Sequence, residues 1–70
     1  MNKLSGEDLI FLTEAVFAVS TELGTNESRA NFLSNKDKVA RLMDLHERYP
    51  ENLVEQAMDS IKEVVFSQGE

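Results

Sequence analysis

Apolar residues recur at three- and four-residue intervals along most of the chain, a period that predicts helices rather than strands. The first block opens at Ser5, placed to cap a helix, with Asp8 three residues on beside the free N–H groups of the first turn. Leu4 and Leu9 occupy the two positions of a hydrophobic staple. Leu9, Leu12, Val16, Val19 and Leu23 form one seam with Ala15 beside it, and Gly24 offers a left-handed stop, so the expected helix covers residues 6–23. Its other sides are not uniformly polar. Ile10 and Phe17 make a second stripe roughly 100° round the helix, and Phe11 and Ala18 lie farther round. Only two narrow polar stripes, Thr13 with Ser20 and Glu14 with Thr21, separate these groups. A helix apolar on several sides needs cover on several sides, and two partner helices supply only part of it. The pattern therefore predicts either a central helix or a self-association face.

Three further segments follow. Thr25 or Asn26 can cap a short helix over 27–33 with Ala30, Phe32 and Leu33 inward. The alternative there is a turn-rich connector, because Asn26, Ser28, Asn31, Ser34 and Asn35 all compete for backbone hydrogen bonds. Ser34-Asn35-Lys36-Asp37 repeats the cap-plus-acid start and predicts a helix over 35–48, with Val39, Leu42, Met43, Leu45, His46 and Tyr49 inward. Pro50 disfavours a helical backbone at Tyr49 and suits the first turn of a last helix over 51–66. That helix would face inward with Leu53, Val54, Ala57, Met58, Ile61, Val64 and Val65, and residues 67–70 should fray. No two-residue alternation lasts long enough for a convincing strand. The expected fold is all-α: one domain over 1–70, a small three- to four-helix bundle whose first helix is long and apolar on several sides.

Composition removes most chemistry. Without cysteine there is no disulfide framework, zinc–thiolate site or thiol nucleophile, and a single histidine excludes any site needing paired imidazoles. The spacings of an EF-hand loop, a two-histidine zinc helix and a phosphate-cradling glycine loop are missing. His46 shares the apolar arc of its helix and reads as a boundary residue, and Asp44 and Glu47 beside it do not create a nucleophile-and-base pair. The expectation is no enzyme, no cofactor and no metal. The greasiest window, residues 9–23, contains Glu14 and Glu22 and falls short of the roughly 20 apolar residues that span a bilayer. With no secretory or lipidation pattern, a cytoplasmic protein without membrane contact is expected.

Charge adds one feature that folding does not require. The chain carries 13 acidic and 7 basic residues, net −6. Glu51, Glu55, Asp59 and Glu63 follow at four-residue spacing as an acidic ridge, with Lys62 beside it to offset part of the repulsion. Such a ridge would steer a basic partner and repel DNA. Most bases, Lys36, Lys38, Arg41 and Arg48, fall in the helix over 35–48, where Asp37, Asp44 and Glu47 nearly cancel them. Asp37 and Arg41 read as a surface pair four residues apart. Leu4, Ile10, Phe11, Phe17 and Phe66 form the candidate association face.

These features predict a non-enzymatic protein–protein interaction or regulatory module, acting as a homodimer or in a complex. The alternative is an acidic inhibitor, antitoxin or nucleic-acid mimic that blocks a basic partner. A small helix-turn-helix DNA-binding regulator ranks third, since phosphate binding needs a cluster of uncancelled positive charge. The asparagine–lysine start, the run Val39-Ala40-Arg41-Leu42-Met43 and the acidic last helix resemble small enterobacterial helical regulators of biofilm and acid resistance. The likeness is one of helix patterning, and no residue role is carried over from it.

Overall fold

Four helices follow one another in the computed structural model, which describes residues 3–68: α1 (Gly6–Val19), α2 (Asn26–Leu33), α3 (Lys36–Arg48) and α4 (Glu51–Gln68). They form a compact all-α four-helix bundle in which α1 is the central element. It packs against α2, α3 and α4, α2 also packs on α3, and α4 leans on α1 with little support from elsewhere. Phe11, Leu12, Ala15 and Val16 of α1 meet Phe32 of α2, Leu45 of α3 and Val54 of α4 in the buried core. The Phe11 and Phe32 rings lie 6.2 Å apart, tilted, and the Arg41 guanidinium sits 4.7 Å from the Phe11 ring centroid.

Capping explains where the helices start. The Ser5 side chain accepts from the Asp8 N–H at 3.2 Å and the Asn35 side chain from the Lys38 N–H at 3.2 Å. Thr25 and Ser28 exchange side-chain and backbone hydrogen bonds in a capping box, which makes the 25–34 segment a helix rather than a connector. The Pro50 carbonyl accepts from the N–H groups of Leu53 and Val54 at the start of α4.

The end of α1 departs from expectation. The helix stops at Val19, and Ser20 takes an extended backbone whose hydroxyl accepts from the Leu23 N–H at 3.0 Å. Serine and threonine hydroxyls compete with helix continuation here, and α2 supplies the exposed α1 carbonyls with other donors. Ser28 Oγ donates to the Ala18 carbonyl at 2.7 Å, Arg29 Nε to that of Val19 at 2.9 Å and Arg29 Nη2 to that of Ser20 at 3.2 Å. Gly24 is not left-handed, since no glycine among the described residues has a positive φ. What it provides is room: a Cβ there would lie 2.5 Å from the Ala18 carbonyl oxygen and 2.9 Å from that of Ser20. Gly24→Ala would gain a few tenths to about 1 kcal/mol by stiffening the unfolded chain, but overpacking against backbone atoms costs about 1–3 kcal/mol. The clash wins, and thermal melting followed by circular dichroism should show a lower midpoint for this variant.

Several expected inward positions face solvent. Ala30 and Leu33 on α2, Met43 and His46 on α3 and Val64 on α4 are exposed, while Phe32, Leu45 and Val54 are buried. Each outer helix has few neighbours, so the arc it buries is narrower than its apolar arc. Met43 stays 60% exposed, and His46 is exposed beside a small cavity that it lines with Leu42 and Met58. Arg41 stacks on Phe11, and the pair four residues apart on α3 is Arg48 with Asp44 at 2.7 Å, not Asp37 with Arg41. Ser67 and Gln68 continue α4 rather than fray, and residues 69–70 lie outside the described residues.

Candidate interaction surface

Leu9, Thr13 and Phe17 follow at four-residue spacing along α1 and face Ala57, Ser60, Ile61, Val64 and Val65 of α4 across an open hollow of about 420 Å³. The hollow runs on past Leu9, Ala57 and Ser60 into a second one of about 260 Å³, which adds Lys3, Leu4, Leu53 and Gln56. Although the chain has 13 acidic residues, none of those among the described residues lines either hollow. Leu9, Phe17 and Val64 stay 42%, 46% and 57% exposed along this stripe. The stripe exists because α1 spends its strongest apolar arc on the core, and α4 covers only one edge of what is left.

The sequence-derived association face divides between different places. Phe17 belongs to the first hollow, and Leu4 is half-buried beside the second. Ile10 is the most exposed, at 73%, in a separate depression that it shares with Glu7, Glu14 and Arg41. Phe11 requires correction: it is buried in the core against Phe32 and beneath Arg41, and contributes only to the lining of the depression around Ile10. Phe66 is half-exposed on the ridge side of α4. Leu9 and Val64, by contrast, were read as seam and core residues. The four-residue row Leu9–Thr13–Phe17, with a threonine at its centre, is the sequence signal for an edge rather than a core.

Glu51, Glu55, Asp59 and Glu63 are exposed on the side of α4 turned roughly 170° from the hollow. None of the four takes part in the ion pairs found among the described residues. Lys62, expected to temper the ridge, reaches away to Glu22, Nζ to Oε1 at 3.3 Å. The Glu22 carboxyl is held below its usual range by its own backbone N–H and by Lys62. Other bases are also engaged: Lys38 with Glu14, Arg29 with the end of α1, and Arg48 with Asp8 and Asp44.

Asp8 is the one buried charged side chain among the described residues. Arg48 donates to both its oxygens, Nη1 to Oδ2 at 2.9 Å and Nη2 to Oδ1 at 3.1 Å, and the Tyr49 hydroxyl donates to Oδ2 at 2.7 Å. The Ser5 N–H donates to that same hydroxyl at 3.2 Å. Arg48 first, then Tyr49, hold the Asp8 carboxyl far below the usual carboxylate range, and Asp8 raises Arg48 in turn. The cluster ties the start of α1 to the end of α3. The sequence suggested only the capping role of Asp8, because nothing local announces a partner 40 residues away. With its oxygens committed to Arg48 and Tyr49, Asp8 is arranged to hold structure, not to move a proton.

Among the described residues no group of three acidic or histidine side chains is placed to hold a metal ion, and no helix is long and apolar enough to cross a membrane. Compared with protein-family models, with curated proteins and with solved structures, the chain matches none. The functional reading therefore stands on the surface geometry of a small helical bundle.

Proposed function

We propose that this chain is a non-enzymatic regulatory module that works in the cytoplasm by protein–protein interaction, assembling with itself or in a complex through the α1–α4 face. The observation that carries this reading is the continuous stripe, lined by no described carboxylate, on a strongly acidic chain. Burying the exposed parts of Leu9, Phe17 and Val64 is worth about 2–4 kcal/mol in total, and the stripe asks for no desolvation of carboxylates in return. A second reading, an acidic inhibitor, antitoxin or nucleic-acid mimic that blocks a basic partner, draws support from the ridge, whose one neighbouring base is drawn off to Glu22. Direct DNA binding through a helix-turn-helix is the weakest reading, since Lys38 and Arg48 of α3 are held by carboxylates.

One experiment separates the readings. A photo-crosslinking amino acid is placed at Val64 on the stripe or, separately, at Asp59 on the ridge, and the chain is irradiated in cells. Crosslinks to protein from Val64 and not from Asp59 are expected. Silence at Val64 overturns the proposed docking face, and links from Asp59 to a basic protein then favour the inhibitor reading.

A further inference from the structure

We infer that the occupant of the α1–α4 face is a second copy of this chain, packed about a twofold axis with Phe17 of each copy seated against α4 of the other. The inference rests on the proposed docking face and names its partner. Two observations favour a second copy over a foreign helix.

The first is electrostatic. At net −6, two copies repel each other, and like charges brought face to face suppress an encounter. The stripe is where α1 and α4 present no carboxylate, with the ridge turned to the opposite side of α4. Two copies meeting there keep their ridges apart and in water. A basic foreign partner would find its charge complement on the other side.

The second is shape. A twofold contact uses the same patch on both copies, so the patch must offer both a projection and a recess. This one does. Phe17 and Val64 stand half-exposed at the rim of the 420 Å³ hollow that they share with Leu9, Ala57 and Ile61.

Sedimentation of the full chain at 10–100 µM tests the inference directly, alongside the variants Phe17→Glu, Val64→Glu and Phe66→Glu. The native chain is expected at twice 7.9 kDa. Each stripe substitution enters a twofold interface twice, so Phe17→Glu or Val64→Glu should raise the dissociation constant about a thousand-fold and leave the monomer, with its helical circular dichroism unchanged. Phe66→Glu, on the ridge side, should remain a dimer. Added salt should tighten the dimer by screening the repulsion between copies. A native chain that sediments as a monomer overturns the inference, as does a Val64→Glu variant that stays dimeric. A dimer that loosens in salt does so too, because it places the contact on the ridge against the bases of α3. Photo-crosslinks from Val64 to a different protein likewise overturn the second copy while leaving the docking face standing; silence from Val64 removes both.

Discussion

Leu45→Ala should leave the chain largely unfolded at physiological temperature. Leu45 is fully buried, the one residue of α3 in the core formed with Leu12, Phe32 and Val54. Truncating a buried leucine costs about 2–5 kcal/mol, from lost transfer energy and from the cavity left behind. A 70-residue domain has only about 4–10 kcal/mol of total stability. The loss is thus a large fraction of the whole, and the melting midpoint should fall by roughly 10 °C or more at fixed protein concentration. Leu33→Ala is the matched comparison: at 55% exposure, that leucine should shift the midpoint by only a few degrees. Equal shifts for the two variants, measured by circular dichroism, would contradict the placement of the core.

The second large effect concerns Asp8. Asp8→Asn keeps the side-chain shape but removes the charge, and its amide would turn a donor toward one of the two guanidinium donors. Half-exposed Arg48 would keep Asp44 but lose the buried carboxylate that ties it to α1, so the melting midpoint should drop by several degrees at neutral pH. The pH dependence gives the signature. Folding depresses the Asp8 pKa from an ordinary value of 3.8, so its contribution is fully present above pH 4. It declines as pH falls through the ordinary carboxylate range and is gone only once the folded form is protonated, at much lower pH. Other carboxylates titrate over the same range, which makes the difference between native and Asp8→Asn midpoints the useful quantity. That difference should be constant from pH 7 to 5 and shrink steadily below pH 4. A difference that stays constant down to pH 2 would show that the Asp8–Arg48–Tyr49 cluster does not act as an ion pair.

Most of the fold was legible because it is local. Ser5, Thr25 and Asn35 announce helix starts within a few residues of themselves, and Pro50 separates α3 from α4 by backbone geometry alone. The early end of α1 was not legible, since it depends on Ser28 and Arg29 reaching back across the turn to carbonyls that the helix would otherwise have used. Gly24 was recognised as special for the wrong reason: the constraint is crowding by the Ala18 and Ser20 carbonyls, which no reading of its own φ preference reveals. The excess apolar surface of α1 was visible in its pattern, and the structure resolves it both ways. α1 is the central helix, and Leu9, Ile10 and Phe17 are still left partly uncovered. Which apolar stripe would be spent on the core could not be read from spacing. Phe11 and Phe17 differ little in type or neighbourhood, and only the placement of Phe32 and Arg41 around one of them decides it.

The dependence of α4 mainly on α1 has a consequence for how firmly the chain is held together. Its last helix is fastened along one seam, and the stripe at the edge of that seam exists only while the two helices lie side by side. A molecule that occupies the stripe binds the closed arrangement and not the parted one, so by mass action it also clamps the last helix in place. Occupancy and local order then rise together, and the abundance of the partner sets how often the last helix parts from the first.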